Sequence, residues 1–82
     1  MPDRSVSKVI VKHYRGKTFP YKGYKTLKRK SFDSCKSQCL KESKCVAFSV
    51  EKSGGDCRLM NTAGEYFSDA GVDSGIKRQA AN

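Results

Sequence analysis

The sequence predicts an α+β fold, in which a small antiparallel sheet packs on a single helix and two disulfides tie the two together. Three observations carry this. Phe32, Cys35, Cys39 and Leu40 fall at i, i+3, i+7 and i+8, which is one face of a helix. Beyond the helix, two runs of β-forming residues flank the turn Ser53-Gly54-Gly55-Asp56. All four cysteines lie within this stretch, two on the helix and two on the hairpin.

In chain order, residues 1–5 read as a flexible tail, 6–78 as one domain and 79–82 as a second tail. Val6 to Tyr14 is rich in β-branched residues and reads as a strand. By alternation Ser7, Val9, Val11 and His13 share the face expected to point inward, opposite Lys8, Ile10, Lys12 and Tyr14. Arg15-Gly16-Lys17 signals a turn. Phe19 to Tyr24 is expected as loop or sheet edge, since Pro20 has no N–H to give a ladder. Lys25 to Lys30 reads as a brief strand before the helix. Ser31 is the expected N-cap, Asp33 suits the positive end of the helix dipole, and the repeat fails after Glu42-Ser43. Cys45 to Val50 and Cys57 to Met60 are the hairpin strands. Asn61 to Gly64 turns the chain, Glu65 to Phe67 is a weak strand, Ser68 to Gly71 a loop and Val72 to Arg78 a closing strand.

Four cysteines allow three pairings. Cys35 and Cys39 lie one turn apart on the same helix, so joining them would constrain almost nothing. The other two pairings both tie helix to hairpin. A short link from Cys39, near the helix end, to Cys45, at the next strand, is natural and leaves Cys35 with Cys57. Such links contribute about 2 and 3 kcal/mol in the loop-entropy model, a large share of the stability of so small a domain. Zinc is the competing reading. It fits less well, because structural sites present C-x2-C pairs on knuckles, whereas these spacings are x3, x5 and x11 and the first pair sits on a regular helix.

The pattern Cys35-x3-Cys39-x5-Cys45-x-Ala47-Phe48, followed after a Gly-rich turn by Cys57-x-Leu59, resembles the core of the PAN/apple domain family. Tyr21-x-Gly23-Tyr24 ahead of the helix and Val72 to Lys77 as a closing strand agree with it, so the resemblance covers about residues 6–78. It implies a helix on a curved antiparallel sheet, with bridges Cys35–Cys57 and Cys39–Cys45. The third, terminus-joining disulfide of the apple type is missing, which makes this a minimal four-cysteine form. The resemblance further implies a non-catalytic module that binds carbohydrate or protein at a cell surface or in the extracellular space.

Eighty-two residues make one domain. No apolar run approaches a membrane span, and charge interrupts the start of the chain, so no signal peptide is read there. The cysteines nonetheless argue for an oxidising compartment. The expectation is a module excised from a longer secreted or surface protein. No phosphate loop, nucleophile elbow or metal-ligand cluster occurs, His13 is the single histidine, and C-x-x-C is absent. Neither catalysis nor a cofactor is expected.

The charge is lopsided. Residues 1–30 hold ten Lys/Arg against one acid, while residues 31–82 balance seven against seven. Lys12, Arg15, Lys17, Lys22, Lys25, Lys28, Arg29 and Lys30 therefore form the expected ligand-binding segment, with Tyr14, Tyr21 and Tyr24 as stacking platforms. Cations clustered in this way attract a polyanion by releasing its counterions. Lysine outnumbers arginine, which favours diffuse attraction over bidentate readout. An extracellular disulfide module is an odd carrier for nucleic acid, so the expected ligand is an anionic glycan or an acidic protein. The competing readings are a solvated basic face on a protein-docking module and a cationic membrane-active peptide. The second would need an exposed amphipathic face that this helix turns to its cysteines.

Overall fold

The computed structural model describes residues 8–80. These form β1 (Lys8–Tyr14), β2 (Lys17–Thr18), β3 (Lys25–Leu27), α1 (Phe32–Lys41), β4 (Ala47–Glu51), β5 (Cys57–Met60), β6 (Phe67–Ser68) and β7 (Val72–Ala80). Five strands make one antiparallel sheet in the order β1-β7-β4-β5-β3, and β2 pairs with β6 in a separate ribbon. The predicted α+β architecture is the observed one.

The helix forms where its local code places it. Ser31 caps it by accepting from the Ser34 N–H at 3.1 Å, and Asp33 and Lys41 sit at the dipole ends that favour them. The chain leaves the helix at Glu42, whose carbonyl accepts from the Cys45 N–H at 3.0 Å and from Lys77 Nζ at 2.9 Å. That turn lets the Cys39–Cys45 bridge close across six residues, while Cys35–Cys57 spans 22 and pins the helix middle to β5. Both pairings are those expected.

The sheet is apolar on both faces. On the helix side Cys35, Cys39, Cys45, Phe48, Val50, Cys57 and Leu59 are buried together, flanked by Val11, Tyr24, Leu27 and Phe32. On the other side Phe19, Ala47 and Met60 form a second cluster with Tyr21, Ala63 and Ile76. This explains why β4 is a continuous buried run rather than an alternating one. Polar groups sealed beneath the second layer are matched. Ser74 donates to the Lys17 carbonyl at 2.7 Å, so its single hydroxyl proton is engaged and Ser49 is the donor in the 2.7 Å Ser49–Ser74 pair. Arg58 reaches Thr18 Oγ1 at 3.1 Å and the Tyr21 carbonyl at 3.3 Å, fastening the second layer to the sheet.

Phe19 lies in a loop, as expected, and anchors the second cluster at 2 % exposure. Several other expectations are corrected. Leu40, expected on the inward face, is 40 % exposed, because it stands about 100° around the helix from Cys39. Of the inward set on β1, Val11 packs on the helix cluster and His13 stacks on Phe32 at 4.0 Å, but Val9 is not part of that cluster and stays exposed. Ser7 lies outside the described residues, as do Val6 and the expected tail 1–5. β4 begins at Ala47 rather than Cys45, β6 is shifted to Phe67–Ser68, and β7 runs to Ala80, beyond the expected end at Arg78.

Candidate functional site

The basic segment, continuous in sequence, is divided by the fold. Lys12 lies on β1 and Arg15 and Lys17 at its far turn, whereas Lys25, Lys28, Arg29 and Lys30 run from β3 to the helix start. β1 and β3 are the two edges of the sheet. With three strands between them they stand about 19 Å apart at the usual strand spacing. Lys22 is exposed in the loop leading to β3.

At the β1 end the cations are partly engaged. Lys12 Nζ sits 5.8 Å from the Tyr14 ring centre. Lys17 donates to Ser68 Oγ at 3.0 Å and lies 6.0 Å from the Tyr66 ring. The tyrosines there are structural. Tyr14 packs on Tyr66 and Phe19, and Tyr21 lies parallel to Phe19.

At the β3 end Lys25 and Tyr24 belong to a knot around Glu42. Its carboxylate accepts from Lys25 at 2.7 Å, Tyr24 Oη at 2.9 Å and Gln38 at 2.6 Å. The Lys25 and Gln38 bonds, with the Tyr24 bond behind them, hold the carboxyl at about 2 despite opposing burial. Burial first, and then its bond to Glu42, pushes the Tyr24 hydroxyl up to about 12. Lys44 Nζ covers the Tyr24 ring at 4.4 Å. Both Lys25 and Tyr24 are engaged within this knot.

Lys28-Arg29-Lys30 differs. Arg29 adopts φ 57°, the left-handed region that costs an L-residue about 1–2 kcal/mol. The turn is held by the Gly54-Gly55 bend, since the Lys30 N–H donates to the Gly55 carbonyl at 2.7 Å. A Cβ on Gly55 would come 3.2 Å from Arg29 Cα and 3.3 Å from the Lys30 nitrogen, and Gly55 itself has φ 69°. Gly55 therefore brings the hairpin turn against the basic turn, and its close approach and the Lys30–Gly55 bond hold the backbone carrying three cations. Lys28 pairs with Asp56 at 3.1 Å but remains 73 % exposed, so this pair costs little to exchange for another anion. Arg29 and Lys30 form no ion pair among the described residues.

Lys30 also stands between two depressions. One, of about 330 Å³, runs along the helix between Lys30, Asp33, Ser34, Ser37, Gln38 and Lys41. The other, of about 200 Å³, is lined by Lys30, Phe32, Lys52 and Gly55 together with the acids Glu51 and Asp73, the latter 3.7 Å from the Lys52 ammonium. Lys41, Ser37 and Lys52 were outside the expected segment. Lys30, Ser34, Ser37 and Lys41 recur at helical spacing on the side away from the cysteines, and that repeat is the signal that finds them. Among the described residues no group of acids, histidines and cysteines could hold a metal ion, and no helix is long and apolar enough to cross a membrane.

No curated protein and no solved structure matches the chain. A family model does: one described as a PAN-like domain matches residues 9–63, from β1 through the helix to the end of the hairpin. That span holds the basic segment and all four cysteines. Domains of this kind are in general non-catalytic modules that bind proteins or carbohydrates. With its helix on an antiparallel sheet, its two helix-to-sheet disulfides and this match, the chain belongs to the PAN-like domain family.

Proposed function

We propose that this module binds an anionic, sulfated glycan in the extracellular space through the turn Lys28-Arg29-Lys30 and the adjoining polar stripe of the helix. The reading rests on one observation. Arg29 sits in a strained left-handed turn that Gly55 packs against and holds in place, and strain of this kind clusters at ligand-binding positions. Three cations on a fixed backbone lose less freedom on binding than three on a mobile loop. The hydroxyl of Ser37 and the ammonium groups of Lys30 and Lys41 line the neighbouring depression, offering donors to sulfate and sugar oxygens along a chain. The disulfides suit an oxidising, extracellular setting. The remaining cations, Lys12, Arg15, Lys17 and Lys22, add long-range attraction that salt screens.

Binding of the oxidised chain to a sulfated oligosaccharide across a salt series tests this, with a neutral oligosaccharide and duplex DNA as controls. Log K is expected to fall with log salt by about 0.7–0.9 per anionic group neutralised. Arg29→Ala with Lys30→Ala is expected to weaken binding at least about tenfold, whereas Lys12→Ala with Arg15→Ala changes it only as screening of a distant charge would. Equal losses from both pairs, or binding only at low salt, would leave the basic turn as a solvated surface.

A further inference from the structure

We infer that the open edge of β1 is a docking strand for an extended, acidic segment of a partner protein. β1 pairs with β7 on one side only, and no other described strand meets it. In an antiparallel strand every second residue turns its N–H and C=O away from the partner it has, so this edge presents a row of unmatched backbone groups. Beside that edge the surface is apolar. Val9 is 48 %, Ile10 47 % and Leu40 40 % exposed. Val9 and Leu40 line a groove of about 430 Å³ together with Ser43, Cys45, Val46, Lys77 and Arg78, which has room for a large apolar side chain of an added strand.

Charge selects the occupant. β1 contains Lys8 and Lys12 and no acid, and the residues it pairs with, Ser74 to Ala80, contain Lys77 and Arg78 and no acid. The Lys77 ammonium donates to the Glu42 carbonyl at 2.9 Å, which leaves its charge uncancelled. The nearby carboxylate of Glu42 is already satisfied by Tyr24, Lys25 and Gln38. A second copy of this chain is a poor occupant, because it would bring a second basic strand against this one in a chain of net charge +9. Lysine on an edge strand also discourages aggregation, but a strand guarded for that purpose alone does not also expose an apolar residue, Val9, beside a groove. Alternating acidic and apolar side chains match both features at once. This site lies across the sheet from the basic turn and does not depend on it.

The test uses the full oxidised chain, isotopically labelled, and a short peptide of alternating glutamate and leucine. Binding is expected to slow solvent exchange at alternate amides of β1. N-methylation of the peptide at alternate amides, Leu40→Gln and Arg78→Glu are each expected to weaken binding about tenfold, while Lys30→Ala leaves it unchanged. Unchanged amide spectra away from the substituted residue show that the two exposed substitutions keep the fold. Equal affinity for the N-methylated peptide, or for a peptide of alternating lysine and leucine, would overturn the proposal. So would concentration-dependent protection of β1 without peptide, which would assign the edge to a second copy.

Discussion

Gly75 is closely packed between two strands, and Gly75→Ala gives a sharp test of the fold described. Gly75 lies on β7 between His13 of β1 and Phe48 of β4. An added Cβ would meet Phe48 Cζ at 2.6 Å and Val11 Cγ1 at 2.8 Å, about an ångström inside ordinary contact. Phe48 is fully buried and packs on Phe32 at 5.2 Å, so it cannot swing into solvent. Overpacking of this kind costs about 1–3 kcal/mol, and a stiffer unfolded chain returns less than about 1 kcal/mol. A net loss of about 1–2 kcal/mol lowers Tm by about 5–15 °C in a domain of this size. The assay is thermal and urea unfolding of the oxidised protein. Gly54→Ala serves as control, because its Cβ would meet only the flexible Glu51 carboxylate at 3.8 Å. Phe48→Leu should make room for the methyl, so the double variant should lose less than the sum of the singles by about 1 kcal/mol. Strict additivity, or a Gly75→Ala variant as stable as the parent, would refute the packing argument.

Other outcomes follow from the same structure. Removing Cys35–Cys57, which spans 22 residues, should cost about 3 kcal/mol and removing Cys39–Cys45, which spans six, about 2 kcal/mol, as read from denaturant midpoints of the paired alanine variants. Glu42 has its carboxyl held at about 2 against an ordinary 4.5, so its contribution is complete above pH 4.5 and is lost as pH falls toward about 2; Glu42→Gln should flatten that acid limb of the stability curve. Tyr24, pushed up from 10.0 to about 12, contributes below pH 10 and loses that contribution as pH rises through about 12, so Tyr24→Phe should flatten the alkaline limb. Arg29→Gly should raise stability by about 1 kcal/mol by relieving the left-handed turn, while weakening binding of a sulfated oligosaccharide. A variant that loses stability and affinity together would point to a purely structural turn.

The parts of the fold legible in the sequence are those written in local code. Ser31, the Phe32-Cys35-Cys39 spacing and the Gly54-Gly55 bend each act on residues a turn away, and the helix and hairpin stand where those signals put them. The burial of Phe19 was not legible, because next to Pro20 it has no period, and part of what covers it, Met60 and Tyr66, comes from over forty residues along the chain. β2 and β6 are two residues each, too short for any repeat to show. The charge of the first thirty residues was plain in the sequence, but its division was not. Division follows from strand order, in which β7, β4 and β5 insert between two segments that are neighbours in the chain.

The claim that the basic turn receives a sulfated chain is tested most directly by titrating the labelled protein with a sulfated oligosaccharide and following its amide resonances. Shifts concentrated at Lys28, Arg29 and Lys30, along Ser34, Ser37 and Lys41 and at Lys52, with β1 unmoved, are the predicted result. Small shifts spread over every lysine, or a focus at Lys12, Arg15 and Lys17, would contradict it.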